Sequence, residues 1–322
     1  MARVPFRKLF VPSTFSVLHH RSFRLLWIGT LISHSGDWMD ELALNWLILE
    51  LTGSPLYLGL ANLCRAVPLL LFTLIGGVAA DRFERRRLML ATQSVAMLLA
   101  LLLAVSISLG WLSIWLVLVI ATLRGVMMAF NLPARQSLIS DLVPPQDLTD
   151  ALALNSVTVN LTKIIGPSLA GLAISVLGIA ACFYINALSF VAVLWTLWAM
   201  RLPTAPRELA DTNVGKSLLD GFGYVRTHPA ILMLVLIAVV PTIFGQPYQT
   251  MLTVFAYDVL NIGPTGLGLL TSCAALGGVL GALLVSLLRG RATNGKAMLF
   301  FMIAFGATLT AFAYSRWTIL SA

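Results

Sequence analysis

Charge is scarce in this chain. Only 11% of its residues are Asp, Glu, Lys or Arg, and 59% are hydrophobic, whereas ordinary soluble domains are about a quarter charged. A balance of that kind argues against a water-soluble globule. Cysteine is scarcer still. Cys64, Cys182 and Cys273 each lie in an apolar run, with no CxxC or Cys/His spacing that could hold a metal, and they read as small buried apolar residues. Also missing are an HExxH zinc motif, a Gly-x-Ser-x-Gly elbow, a P-loop and a dinucleotide fingerprint, which removes the basis for an intramembrane enzyme or an ATP-driven pump. No selectivity filter or charged ring of a cation channel is present. Neither enzymatic activity nor a cofactor is expected.

What the chain does have is apolar runs of membrane-spanning length. A bilayer core about 30 Å thick needs about 20 mostly apolar residues per helix, and short polar punctuation divides the sequence into such stretches. Complete spans are expected at 23–50, 57–80, 88–109, 113–131, 151–177, 180–200, 230–256, 266–288 and 297–314, with another beginning at Trp317 just before the sequence ends at Ala322. The first apolar run is too long for a signal-peptide core and lacks a small-x-small cleavage site, so it is expected to remain as a span.

The charges then fix an orientation. The formal net charge is +8, and its location rules against nucleic acid as the reason for it. With the N-terminus in the cytoplasm, the inner segments hold Arg3, Arg7, Lys8, Arg21 and Arg24, then the cluster Arg82, Arg85, Arg86 and Arg87, then Arg135, then Arg201, Arg207, Lys216 and Arg226, then Arg289, Arg291 and Lys296. Only Arg316 falls in an outer turn, and Arg65, Arg124 and Lys163 lie inside spans. That asymmetry is the positive-inside pattern and predicts a multi-pass protein of the plasma (inner) membrane. The longest polar segment, 201–228, divides the chain into a cytoplasmic tail (1–22), a six-helix bundle (23–200), a cytoplasmic linker and the start of a second bundle (229–322). Residues 217–226 suit an interfacial amphipathic helix.

One loop carries a spacing of its own: Gly76-Gly77-Val-Ala-Ala-Asp81-Arg82-Phe-Glu84-Arg85-Arg86-Arg87. It resembles the signature loop of the major facilitator superfamily, Gly-x-x-x-Asp-Arg-x-x-Arg-Arg, which Gly77, Asp81, Arg82, Arg85 and Arg86 fill in order. Glu84 stands where the commonest form has glycine. Together with Leu51-Thr-Gly-Ser-Pro55 and Asn131-Leu-Pro-Ala-Arg-Gln136 it is similar to the enterobactin-exporter-like and macrolide-efflux-like branch. The resemblance covers the whole chain. It implies an all-α major facilitator fold with a complete N-terminal bundle and an incomplete second one, the chain being a fragment of a longer transporter. It further implies that the loop latches the two halves together. Lys163-Ile-Ile-Gly166-Pro167-Ser168-Leu-Ala-Gly171 partly resembles the superfamily's antiporter motif on helix five, with Thr162 in place of the leading glycine, and Arg124 resembles an arginine on helix four that the family links to proton coupling.

Ionisable groups inside spans are costly and mark functional candidates. Asp37, Asp40 and Glu41 lie in the first span, Asp37 and Glu41 on one helical face. Matched depths along the helices make Glu41 with Arg65, and Asp37 with Arg124, geometrically possible pairs. Asp37, Glu41, Arg65, Arg124 and Lys163 are the candidates for proton coupling, and fixed structural ion pairs are the alternative reading of the same residues. Trp38, Asn45, Trp46, Asn155, Asn160, Asn186, Phe244, Gln246, Tyr248 and Gln249 are candidates for a substrate cavity, each also readable as ordinary helix packing or interfacial anchoring. The expected function is proton-driven efflux of a small amphipathic solute (drug, macrolide or siderophore) by alternating access, from a monomer embedded in the lipid bilayer. The competing expectation is a non-transporting receptor or pseudo-carrier of the same fold.

Overall fold

The structure is a computed structural model that describes residues 16–200, 247–287 and 295–314, with Thr227 and Met233 as isolated positions. The linker 201–228, Pro241, Phe244 and Gln246 therefore lie outside the described residues, apart from Thr227. Among the described residues the secondary structure is helical throughout, with no strand.

Turn chemistry sets the helix boundaries. Helix α1 (Arg21–Thr52) ends at Gly53, whose left-handed backbone (φ 57°, ψ 15°) lets its N–H bond the Leu49 carbonyl at 2.7 Å, a conformation glycine adopts without a Cβ penalty. Pro55 then opens α2 (Pro55–Arg82), where its missing N–H costs nothing. Helix α3 spans Arg85–Ser108. Ser113 caps α4 (Ile114–Leu142), its hydroxyl accepting from the Leu116 N–H. Helix α5 (Leu148–Leu177) passes through Gly178, at φ 84°, into α6 (Ile179–Ala199). The second set comprises α7 (Pro247–Val254), which runs on into a π turn at Phe255–Val259, then α8 (Gly263–Leu287) and α9 (Gly295–Tyr314).

Six helical segments among the described residues are long and apolar enough to cross a membrane, by length and composition. They are Pro55–Arg82, Arg85–Ser108, Ile114–Leu142, Pro145–Leu177, Ile179–Ala199 and Gly263–Gly281. Helix α1 has 32 residues, ample length at 1.5 Å per residue. It differs from the six in carrying His34, Asp37, Asp40 and Glu41 along its middle. One expected boundary is corrected. Helix α4 does not stop at Asn131 but continues to Leu142 with Pro133 inside it, so Arg135 belongs to the helix rather than to a loop. Neighbouring helices can satisfy the backbone groups that an internal proline frees, and membrane helices tolerate it for that reason.

Helix α1 packs on α5 and α6, α2 on α4, α3 on α4 and α6, and α8 on α5. Small residues permit the close crossings: a Cβ on Gly125 would strike the backbone of Arg65, and one on Gly76 the backbone of Ala129. The outer surface is apolar. On α5, Leu161, Ile165, Leu169, Leu172 and Val176 are exposed at spacings of three and four, a lipid-facing stripe.

Two apolar clusters occupy opposite ends. At the Gly53 end, Leu42–Leu49 of α1 and Leu58, Leu103, Val117, Ala170 and Phe183 pack with Leu252 and Ala256 of the α7 segment and Leu267 and Leu270 of α8. At the Arg82 end the cluster of Phe23, Leu26, Ala80, Met89, Leu138, Leu154, Phe190 and Leu197 draws only on the first six helices and the turn before them. Among the described residues the two helix sets meet in an apolar cluster at the Gly53 end alone.

Candidate functional site

Helix α1 presents its polar residues in steps along one side, and each step meets a different neighbour. Glu41 pairs with Arg65 of α2. One step on, Asp40 accepts both guanidinium nitrogens of Arg124 from α4, Nη2 to Oδ1 at 2.7 Å, and a further bond from Asn186 Nδ2 of α6 at 3.1 Å. This carboxylate is 2% exposed, so the bidentate guanidinium and the amide stand in for the water it has lost. At the far end of the series Arg135 of α4 donates to His34 Nε2. A guanidinium has no acceptor, so that ring nitrogen is unprotonated and the imidazole is neutral.

Arg124 therefore meets Asp40 rather than the depth-matched Asp37. Both carboxylates lie at suitable depth, but helical phase decides: Asp40 is the one turned into the α4–α6 crevice. Asp40 was visible as a membrane acid in the sequence, yet nothing in the spacing singled it out. Asp37 makes no hydrogen bond or ion pair among the described residues and is exposed, although α1 is packed by α2, α4, α5 and α6. Arg124 and Arg135 attract it across space and Asp40 and Glu41 repel it. It is thus the mid-helix acid of α1 that stays exposed and unbonded among the described residues.

Helix α5 lies between α1 and α8. At Gly166 a Cβ would strike the Trp38 side chain and approach the Ser35 carbonyl at 3.0 Å. At Gly171 it would come within 2.7 Å of the Pro264 carbonyl of α8, and Gly268 of α8 sits against the Pro167 carbonyl. Ser272 donates to the Ile164 carbonyl at 2.6 Å, which leaves Ser168 to donate to Ser272 across 2.7 Å. Gly166, Pro167 and Gly171 are thus the points at which three helices touch. Beyond Ile164 toward the Arg82 end, the same flank of α5 carries exposed Ser156 and Asn160. On α8, Gly277, Gly278 and Gly281 have nothing within 4 Å of where a Cβ would stand. Among the described residues the α5–α8 seam is closed toward Gly53 and parted toward Arg82.

Lys163 stands where the seam parts. Its ammonium lies 5.5 Å from the centre of the Trp38 ring, within cation–π range. Among the cavity candidates, Trp46 is 8% exposed and meets Tyr257 edge-on at 5.1 Å, and Asn186 is fully buried on Asp40. Both are absorbed into packing because the α1–α6 and α1–α7 contacts close over them. Asn45 and Asn155 are half-buried, Gln249 is exposed, and Asn160 is exposed with its amide on the Ser156 carbonyl. Tyr248 meets Phe305 edge-on.

The loop residues divide in two. Arg85 reaches Asp141 at 2.5 Å and the Ser137 carbonyl at 2.7 Å, and Arg86 reaches the Trp198 carbonyl at 2.7 Å. Both cap C-terminal ends of helices in the first bundle, where positive charge is favoured. Asp81 and Arg82 are exposed at the same end, and Gly77, unlike Gly76, has open space beside it.

Among the described residues the protein is helical, with paired charges in its helix middles and a second helix set closed on the first at one end, an arrangement that fits the major facilitator class. Residues 12–322 match the model of the transmembrane secretion effectors, and the chain belongs to that family of the major facilitator superfamily. The chain is similar to the staphyloferrin A transporter of Staphylococcus aureus, with 28% identity across 78% of this chain and 63% of that protein. It is also similar to macrolide efflux protein A of Streptococcus pyogenes (24%, 82% and 66%) and to the enterobactin exporter of Shigella flexneri (25%, 87% and 66%). The chain spans just under two thirds of the length of these relatives. A bacterial homologue of the human lysosomal transporter Spinster, solved in an inward-facing, unoccupied conformation, superposes with a TM-score of 0.71 at 16% identity, over 93% of this chain and 70% of that one. These relatives are transporters, not enzymes.

Proposed function

We propose that the protein is a secondary active transporter that exports a small amphipathic solute, a drug, macrolide or siderophore, in exchange for protons by alternating access. The observation that carries the reading is the contrast on α1. Asp40 is locked in a buried bidentate pair, whereas Asp37, a turn away, is exposed and makes no hydrogen bond or ion pair among the described residues. A carboxylate that water can reach from one side at a time can take up a proton there and release it on the other. Arg124 and Arg135, near but not bonded, bias its charge without fixing it.

In this reading the protein is a monomer in the plasma membrane with its N-terminus in the cytoplasm, and the Arg82 end is the cytoplasmic end. Residues 23–200 and 229–322 belong to the two bundles that rock about the central site. The parted seam then corresponds to the inward-open state. Within the loop, Arg85 and Arg86 anchor the segment to the first bundle, and Gly77, Asp81 and Arg82 form the part free to engage the second.

The test is solute accumulation in inside-out vesicles from cells producing the protein, with and without a protonophore. Wild type accumulates the solute and loses it on protonophore addition. Asp37→Asn, present in the membrane at wild-type level, does not accumulate it. Protonophore-insensitive accumulation, or full accumulation by Asp37→Asn, would contradict the reading.

A further inference from the structure

The charges in the helix middles nearly cancel. Arg65 is matched by Glu41, Arg124 by Asp40, and Arg135, which donates to a neutral imidazole, is balanced across space by Asp37. Lys163 has no such match. It pairs with no carboxylate among the described residues, its recorded contact being the Trp38 ring. The acids outside the described residues, Glu208, Asp211 and Asp220, all fall in 201–228, the expected linker. Among the described residues one cation is therefore left without a counter-charge, at residue 16 of the 30 in α5, where an isolated charge is costly.

Its surroundings suit a ligand better than a structural role. The ammonium rests against the Trp38 ring, a contact that supports the cation but supplies no negative charge. The side chain is half-buried, and it stands where the α5–α8 seam stops being closed, just before the Ile164–Ser272 bond. A solute entering the parted side would meet the aromatic face of Trp38 and the ammonium together.

Resting on the transporter reading for its occupant, we propose that Lys163 and Trp38 form the recognition point for the anionic group of the substrate, and that the preferred solute is an amphipathic carboxylate or comparable anion with a flat apolar body. Lys163 supplies the missing half of an ion pair, and Trp38 supplies the stacking surface. Neutral and cationic analogues of the same body lose the first contribution and keep the second.

The test uses the purified full-length protein in detergent and three probes of one shape, 1-pyrenebutyrate, 1-pyrenebutanol and 4-(1-pyrenyl)butyltrimethylammonium, with binding read from energy transfer between tryptophan and pyrene. Wild type binds the carboxylate at least tenfold more tightly than either analogue, equivalent to about 1.4 kcal/mol. Lys163→Gln removes that preference, and Lys163→Arg retains it. Wild-type protein with no preference for the carboxylate, or Lys163→Gln with the preference intact, overturns the proposal. The wild-type comparison stands even if the variant does not fold. Phosphatidylglycerol shares the anionic chemistry. If it displaces the carboxylate one for one, the site belongs to a lipid headgroup and the solute assignment fails. Binding is measured without a gradient, so a failed protonophore experiment beside a Lys163-dependent anion preference would sink the transport reading alone.

Discussion

Asp40 and Glu41 are neighbours in sequence and both are ion-paired, yet their surroundings predict different energetics. Asp40 is closed off by Arg124 and Asn186, whereas Glu41 and Arg65 keep 29% and 34% of their side-chain surface open. Arg124→Ala would leave a buried carboxylate unpartnered, at a cost of about 3–5 kcal/mol. Arg65→Ala should cost about 1 kcal/mol or less, as partly exposed pairs do. Thermal unfolding in detergent separates the two, and equal losses would contradict the assignment of Asp40–Arg124 as the structural pair. The sequence places three acids and three bases inside spans and matches the depths of Glu41 with Arg65 and of Asp37 with Arg124. It could not show which faces meet, because depth along a helix is set by counting residues, whereas the pairing of Arg124 with Asp40 depends on rotation of α1 and α4 about their own axes.

At the scale of elements, the paired glycines Gly76 and Gly77 make a sharp contrast. Gly76 lies against the Ala129 backbone of α4, and Gly77 faces open space. Gly76→Ala forces α2 and α4 apart and should destabilise by about 1–3 kcal/mol, while Gly77→Ala should stay within about 0.5 kcal/mol. Loss of activity by Gly77→Ala at unchanged stability would instead point to a contact made by this loop in another conformation. The helices themselves were legible, because apolar runs bounded by Gly53-Ser-Pro55 and Gly178 leave little choice of boundary. The end of α4 was not. Pro133 reads as a helix breaker in water, whereas a packed membrane helix carries it and delivers Arg135 to His34.

For the whole molecule, alternating access requires the α5–α8 seam to open at the Gly53 end when it closes at the Arg82 end. Ser168 and Ser272 sit on the closed part, 2.7 Å apart at their hydroxyls. In a protein with Cys64, Cys182 and Cys273 replaced by serine, Ser168→Cys with Ser272→Cys should cross-link on oxidation, arrest transport and recover it on reduction. Full transport by the cross-linked protein would exclude the motion. That the two helix sets join through α5 and α8 could not be read from periodicity, since the lipid-facing and seam-facing sides of α5 are both apolar over much of their length.

If Asp37 carries the exchanged proton, proton movement across the membrane depends on its carboxylate. Inside-out vesicles are energised to build a pH gradient reported by a quenched dye, and a compound that the protein excludes from cells is then added. Wild type should dissipate part of the gradient and restore fluorescence, and Asp37→Asn should leave the quench unchanged. Fluorescence recovery of wild-type size in Asp37→Asn would contradict the account.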